Sequence, residues 1–103
     1  MLILGLGTNL GDGLNNLRSA LQLLQKSSTI APLQISPVYT SSALLPAYAP
    51  AAWNRPYLNV ALACETSLSP FETLRQIKQI EKQLGREESQ RWAPRVIDID
   101  ILA

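Results

Sequence analysis

The stretch Tyr57–Thr66 has the sequence YLNVALACET. It contains no proline or glycine and is strongly apolar, which predicts a strand in the interior of a sheet. Upstream, residues 30–39 are rich in β-forming residues but are interrupted by Pro32 and Pro37. Because proline cannot donate a ladder hydrogen bond, we predict an edge or bulged strand there, paired with Tyr57–Thr66 as a long-looped hairpin.

Two helices flank this hairpin. Downstream, Ser69, Pro70 and Glu72 form a capping-box pattern, and the helix that follows stops at Gly85. Its predicted inward face consists of Phe71, Leu74, Ile77, Ile80 and Leu84. Upstream, Asp12 is placed to cap a helix whose leucines recur at helical spacing. The sequence therefore predicts one amphipathic helix on each side of the hairpin.

Two further strands complete the pattern. Residues 2–6 form a short apolar run stopped by Gly7, typical of a central strand, and residues 96–102 follow Pro94 as the last strand. The order βαββαβ predicts a ferredoxin-like α+β fold, an antiparallel sheet with its helices packed on one face. A length of 103 residues favours a single domain over 1–103.

The amino-acid composition disfavours several classes of function. A formal net charge of +1 lacks the basic excess of proteins that bind nucleic acid through its phosphates. The lone Cys64 favours a reducing compartment, and no apolar run approaches the roughly 18 residues of a membrane span. We therefore predict a cytoplasmic protein that binds neither nucleic acid nor membranes. Without histidine, its chemistry must depend on carboxylates, arginines or a hard metal ion.

Residues 97–101 carry two acidic groups on one predicted strand. Side chains alternate along a strand, so the isoleucines face the helices while Asp98 and Asp100 point together to the other face. Two carboxylates about 7 Å apart repel each other unless a cation lies between them, and oxygen ligands favour Mg²⁺. A bare pair of aspartates is nevertheless more often part of a solvated sheet face.

The residues just before this strand favour the metal interpretation. Arg91, Trp92 and Arg95 combine two guanidinium groups with an indole, which suits phosphate oxygens and a flat base. Magnesium and arginines are the usual means of phosphoryl transfer, in which the protein has little covalent chemistry to perform. Lys78 and Glu81 lie one helical turn apart and could line the same cleft. Residues with this spacing more often form a charge pair on an exposed helix face.

A second candidate group lies at the start of the interior strand. Tyr57 and Asn59 share one face of the predicted strand. An aromatic ring beside a carboxamide suits the binding of a planar heterocycle. A tyrosine that merely lies on the surface near the start of a strand is an equally common interpretation of these residues. Residues 41–56 exceed the usual length of an unstructured connection. They are apolar and proline-rich, which we interpret as a lid over a flat ligand. The alternative is an insertion with no ligand role.

The glycines near the N-terminus do not form a dinucleotide motif. Leu10 occupies the third glycine position of G-x-G-x-x-G, which argues against a Rossmann site. We predict instead that Gly5 and Gly7 shape a tight turn that brings Thr8 and Asn9 to the cleft.

Four motifs together resemble the 6-hydroxymethyl-7,8-dihydropterin pyrophosphokinase family of folate biosynthesis. They are GTNLGD at 7–12, YLN at 57–59, the segment from Glu81 to Arg86, and RWAPRVIDIDI at 91–101. The resemblance runs along the whole chain in the same order, and the last motif is the most specific. It implies a ferredoxin-like enzyme that binds ATP and a pterin in one cleft. Such an enzyme transfers pyrophosphate from ATP to the pterin hydroxymethyl group and releases AMP.

The resemblance also implies roles for individual residues. Asp98 and Asp100 would hold two Mg²⁺ ions, with ATP as co-substrate, and Arg86 and Arg95 would be catalytic. The residues implied for ATP binding are Lys78, Glu81, Arg91, Trp92 and Ile101. Those implied for pterin binding are Ser41, Leu44, Tyr57 and Asn59.

Some residues depart from the family pattern. Lys78 stands where a glutamine is familiar, Ala93 replaces a glycine, and residues 42–43 replace a proline pair. Residues 86–91 form a segment that is one residue short. Members of the family continue well past the position of Ala103, so the resemblance also implies a C-terminally truncated form.

Other classes of protein share parts of the pattern. The same topology carries small-ligand binding or regulatory modules, which need no Mg²⁺ and perform no catalysis. RNA-recognition domains need aromatic residues on their interior strands, and residues 60–64 supply none. A D-x-D nucleotide-sugar transferase is disfavoured because its usual α/β domain exceeds this length.

Overall fold

The computed structural model describes residues 1–85 and 94–103. Its strands are β1 (Leu2–Thr8), β2 (Ile30–Ile35), β3 (Tyr39–Ser41), β4 (Tyr57–Thr66) and β5 (Asp98–Ile101). Its helices are α1 (Gly13–Lys26) and α2 (Pro70–Gln83), and a short 3₁₀ turn covers Ala51–Trp53. No helix within this part of the chain is long and apolar enough to cross a membrane.

The strands form an antiparallel sheet in the order β2-β4-β1-β5, with β3 continuing along β4. This is the predicted ferredoxin-like α+β arrangement. β4 lies between β1 on one side and β2 and β3 on the other, so its interior position is confirmed. β1 lies between β4 and β5 and is central, as its apolar sequence predicts. β2 lies at the edge, which its prolines require.

The predicted strand over residues 30–39 forms only in part, because β2 ends at Ile35 and β3 begins at Tyr39 and continues to Ser41. Its register against β4 shifts between Pro32 and Gln34, so the predicted bulge is confirmed. At the break before Pro37, Ser36 keeps the chain attached to β4. Its N–H donates to the Ala61 carbonyl (2.9 Å), and its Oγ accepts from the Ala61 N–H (2.8 Å). The Ser36 hydroxyl thus accepts the hydrogen bond that a backbone carbonyl would accept in a regular strand ladder.

Both helices cover one face of the sheet. The buried core joins alternate residues of the strands to α1 and α2, and its fully enclosed side chains include Leu4, Leu24, Ile30, Ile77 and Ile97. Burial raises the pKa of the Cys64 thiol on β4, which keeps that group protonated at neutral pH. No helix of residues 1–85 and 94–103 covers the opposite face of the sheet, which carries the candidate site.

Both helix caps form as predicted. Asp12 Oδ1 accepts from the Asn15 N–H (3.2 Å) at the start of α1. At the start of α2, Ser69 Oγ accepts from the Glu72 N–H (3.1 Å), and Glu72 Oε1 accepts from the Ser69 N–H (3.2 Å). The hydrogen bond that the Glu72 carboxylate accepts from the Ser69 N–H lowers the pKa of that carboxyl, and its hydrogen bond with the Ser69 side chain lowers the pKa further.

The predicted inward face of α2 is partly wrong. Ile77 and Ile80 are buried, but Phe71 and Leu74 are 69% and 45% exposed. Each step of three residues falls about 60° short of a full turn, so a run of such steps drifts around the helix. The buried stripe instead begins at Thr73, continues through the two isoleucines and ends at Glu81.

Candidate functional site

A cavity of about 690 Å³ lies on the helix-free face of the sheet. Its walls come from β1, β3, β4 and β5, from the residues after β3 and from the segment before β5. The cavity therefore contains both chemical groups that the sequence singles out, the paired aspartates and the aromatic residue with its carboxamide.

The register of the sheet explains why these groups meet. Asp98 lies opposite Gly7, Gly7 lies opposite Asn59, and Asn59 lies opposite Tyr39. Asp100 lies opposite Gly5 in the next row of the same face. Paired residues in adjacent strands are about 5 Å apart, so the acidic and aromatic walls are separated by roughly 10 Å. Between them, Gly5 and Gly7 add no side chains of their own, and the Leu102 side chain lies over Gly5, with its Cδ1 3.1 Å from where a Cβ atom would be.

The glycines are not in a turn, so that prediction is wrong. β1 continues through both of them to Thr8. A Cβ atom at Gly7 would lie 3.2 Å from Asn59 Oδ1 and 3.3 Å from Tyr57 Cδ1. The missing side chain thus leaves room for the aromatic wall, a close approach that glycine inside a strand often marks. The alternating glycines in an apolar run are the sequence signal for this floor.

The acidic wall has the predicted geometry. Asp98 and Asp100 both line the cavity, whereas Ile97 and Ile99 are buried on the opposite side, and Arg95 lines the same cavity. Within the described residues, no group of three or more acidic, cysteine or histidine side chains is placed to hold a metal ion. Two carboxylates could supply part of a coordination shell, which suits Mg²⁺ because that ion usually keeps water or takes ligand oxygens. The metal role itself stays a prediction.

The aromatic wall brings all four predicted pterin residues to the cavity. They are Ser41, Leu44, Tyr57 and Asn59. Asn59 Nδ2 donates to Ser41 Oγ (2.9 Å) and to the Tyr39 carbonyl (3.4 Å). With the nitrogen held by β3, the acceptor oxygen is the atom that faces Gly7. The carboxamide is therefore oriented before any ligand arrives.

The long connection lines the cavity with its first residues, Ser42, Ala43 and Leu44. Farther along, the chain forms its own turns. The Trp53 N–H donates to the Pro50 carbonyl (3.0 Å), and the Asn54 N–H donates to the Ala51 carbonyl (3.1 Å). The lid role of this segment stays a prediction.

Several residues implied for the nucleotide lie elsewhere. Lys78 and Glu81 form an ion pair (Nζ to Oε1, 3.6 Å), and neither lines the cavity. Ile101 is exposed and is not part of the cavity wall. Arg86, Arg91 and Trp92 lie outside the described residues. Contacts of these residues with ATP therefore stay predictions.

The structure gives Glu81 a position that its spacing did not indicate. It is 2% exposed, and its Oε2 accepts from the Ile99 N–H at 2.9 Å. The Leu102 N–H donates to the Ile3 carbonyl of β1. Because N–H groups alternate in direction along a strand, those of Asp98 and Asp100 also face β1, whereas the N–H of Ile99 faces away from β1. Glu81 thus accepts a hydrogen bond from the Ile99 N–H on the side of β5 that faces away from β1. Ile99 lies between the two aspartates in the sequence.

Thr8 and Asn9 do not reach the cleft, contrary to the prediction. Both are buried. Thr8 Oγ1 accepts from Asn16 Nδ2 (3.1 Å), and Asn9 bonds to Arg55 and Arg95. The turn after β1 therefore connects segments of the chain to one another.

We predict that Glu81→Leu lowers the free energy of unfolding by about 1–3 kcal/mol, because it leaves the Ile99 N–H buried without its acceptor. Glu81→Gln keeps an acceptor and should cost less than half as much. Chemical denaturation measures the stability, and amide hydrogen exchange of Ile99 measures the local effect. Glu65→Gln, at an exposed position on β4, is the control. Unchanged exchange of the Ile99 amide in Glu81→Leu would contradict this role.

Comparison with known proteins gives a consistent family. The sequence model of 7,8-dihydro-6-hydroxymethylpterin-pyrophosphokinase matches residues 3–103. The "2-amino-4-hydroxy-6-hydroxymethyldihydropteridine pyrophosphokinase" of Bacillus subtilis is 38% identical over 99 residues, which are 96% of this chain and 56% of that protein. The protein of the same name from Pseudomonas putida is 37% identical over 98 residues, 95% of this chain and 77% of that protein.

A larger relative shares the same region. The "Folate synthesis bifunctional protein" of Chlamydia muridarum is 42% identical over 99 residues, which cover 96% of this chain and 22% of that protein. The chain thus spans between about a fifth and three quarters of the length of these relatives. The family match covers nearly every residue, including the strand with the paired aspartates, and the chain belongs to the 7,8-dihydro-6-hydroxymethylpterin-pyrophosphokinase family.

Proposed function

We propose that this protein transfers pyrophosphate from ATP to 6-hydroxymethyl-7,8-dihydropterin in folate biosynthesis, with release of AMP. One observation carries the proposal. A single cavity has an acidic wall with an arginine on one side and a tyrosine–carboxamide wall on the other, with two glycines between them. The names of the related pyrophosphokinases support the same activity.

The aromatic wall suits the pterin. A pterin is flat and carries hydrogen-bond donors and acceptors along one edge, so it matches a tyrosine ring beside an oriented amide. Because Asn59 Nδ2 is held by Ser41 and Tyr39, Asn59 Oδ1 is available to accept from a ligand N–H. Leu44 adds apolar surface at the rim. We assign the pterin to this side of the cavity.

The acidic wall suits the triphosphate. Asp98 and Asp100 would hold magnesium, two ions in our proposal, and Arg95 would donate to phosphate oxygens. When bound, Mg²⁺ supplies positive charge that offsets the charge developing on the phosphates. We propose the remaining nucleotide contacts at Lys78, Glu81, Ile101 and three residues outside the described part of the chain, Arg86, Arg91 and Trp92.

The proposed reaction needs positioning more than covalent catalysis. The pterin hydroxyl oxygen forms a bond to the β-phosphorus, the bond from that phosphorus to the α-phosphate oxygen breaks, and AMP leaves. The chain contributes by holding the hydroxymethyl group and the phosphates within one cavity and by stabilising negative charge with Arg95. A cytoplasmic location fits the lone cysteine, Cys64, which is a buried free thiol.

The metal assignment is tested with Asp98→Asn and Asp100→Asn in the full-length protein. Each removes a charged oxygen ligand at nearly constant shape. We expect AMP release in the presence of pterin, ATP and Mg²⁺ to fall by about 10²-fold or more, a loss comparable to removal of a transition-state charge stabiliser. Glu65→Gln serves as the matched acidic control. Wild-type rates in both aspartate variants would rule out the mechanism, and a wild-type protein that binds pterin without releasing AMP would favour a binding module.

The pterin assignment is tested with Tyr57→Ala, for which calorimetry measures the dissociation constant of the pterin. Loss of one stacked ring is worth about 1–3 kcal/mol, so binding should weaken by roughly 5- to 150-fold. Phe71→Ala is the control, since Phe71 is 69% exposed on α2 and is not part of the cavity wall. Equal pterin affinities in the two variants would remove the basis for placing the pterin against Tyr57.

A further inference from the structure

Asn9 joins three segments that are distant in sequence. It follows the end of β1 and is 7% exposed. Its main-chain N–H donates to the Arg95 carbonyl (3.1 Å), and its Oδ1 accepts from the Arg95 N–H (2.8 Å). Both polar backbone groups of Arg95 are therefore bonded to one residue. The Asn9 Nδ2 donates to the Arg55 carbonyl (3.1 Å), two residues before Tyr57.

These bonds lie where the pairing of β1 with β5 changes. The ladder ends with Gly7 opposite Asp98, and continued pairing would place Asn9 opposite Val96. Asn9 bonds to Arg95 instead, so the pairing slips by one residue, and the chain bends at Val96. For this reason β5 begins at Asp98, two residues later than the sequence predicts.

The slip decides which face Arg95 occupies. By strict alternation, Arg95 would share the helical face with Ile97 and lie away from Asp98 and Asp100. The bend breaks that alternation, because the adjacent residues Val96 and Ile97 both pack against the core. Arg95 instead lines the cavity beside the aspartates. A shift of the strand register by one residue moves a side chain from one face of the sheet to the other.

We propose that Asn9 is a positioning residue that directs Arg95 into the cavity. Its side-chain oxygen replaces the backbone carbonyl that a regular ladder would offer, which stabilises the slipped pairing. Its side-chain nitrogen fixes the chain just before β4, so the positions of Arg95 and Tyr57 are set through one carboxamide. The identity of the ligand at Arg95 rests on the proposed function, whereas the geometric role of Asn9 does not.

The test is a double-mutant cycle of Asn9→Ala and Arg95→Ala, which reports whether the two residues act together. The readouts are kcat and the KM for ATP, together with the binding of inorganic tripolyphosphate with Mg²⁺, all in the full-length protein. We expect each single variant to lose about 10- to 100-fold in kcat and in tripolyphosphate affinity, and Asn9→Ala to cost less than about 3-fold when Arg95 is already alanine. Asn9→Asp retains an acceptor for the Arg95 N–H and should recover part of the loss.

Asn16→Ala is the matched control. Asn16 lies near the same turn and its Nδ2 bonds to Thr8 Oγ1 (3.1 Å) and to the Leu10 carbonyl (2.8 Å), with no part in the bonds to Arg95. Amide exchange of Arg95 should accelerate in Asn9→Ala and stay at the wild-type rate in Asn16→Ala. Additive losses in the cycle, or equal effects of the two asparagine variants, would overturn the proposal. A wild-type protein that binds tripolyphosphate without forming AMP would overturn the proposed function alone, since the binding cycle and the exchange rates still decide the role of Asn9.

Discussion

The arrangement depends on the position of β1 between β4 and β5. Antiparallel pairing on both sides of one strand fixes which residues of β4 and β5 lie in the same row, and it places Asn59 and Asp98 on either side of Gly7. Because β1 presents glycine at that row and at the next, β1 adds no side chain of its own between the two walls. A one-residue change of register on either side would move an entire wall to the helical face.

The last strand is short, and several independent contacts hold it. Its four residues pair with β1 through the ladder, and Glu81 pairs the outward N–H of Ile99 from the side of α2. Asn9 fixes the approach to the strand at Arg95. A sheet edge with unpaired donors is prone to slip or to pair wrongly, so these contacts stabilise the register that the paired aspartates need. The helices and the turn after β1 thus contribute to the cavity without lining it.

Local patterns in the sequence predicted much of this structure. The proline-interrupted edge, the uninterrupted β4, the two caps and the alternation of Asp98 with the isoleucines depend on neighbours within a few residues, and each was found. Three of the four residues predicted to bind the pterin, Ser41, Tyr57 and Asn59, meet because they lie on the paired strands β3 and β4, and Leu44 follows shortly after β3. The resemblance of the motifs to a known family supplied their proposed roles, which the residue types alone left open.

The errors have two causes. Exposure of Phe71 has a local cause, since steps of three residues drift around the helix and carry Phe71 out of the buried stripe. The other errors lacked long-range information, because Gly7 is in contact with residues of another strand and the roles of Asn9 and Glu81 depend on partners up to 86 residues away. Polar residues with such partners resemble surface residues when the sequence is considered alone.

We propose that one cavity holds the pterin and the magnesium-bound triphosphate on opposite sides of Gly7. A crystal structure of the full-length protein with Mg²⁺, a non-hydrolysable ATP analogue and the pterin tests this arrangement. We expect metal density against Asp98 and Asp100 and the pterin ring against Tyr57, with the hydroxymethyl group directed towards the phosphates. Ligands bound outside this cavity, or aspartates that contact neither metal nor phosphate, would contradict it.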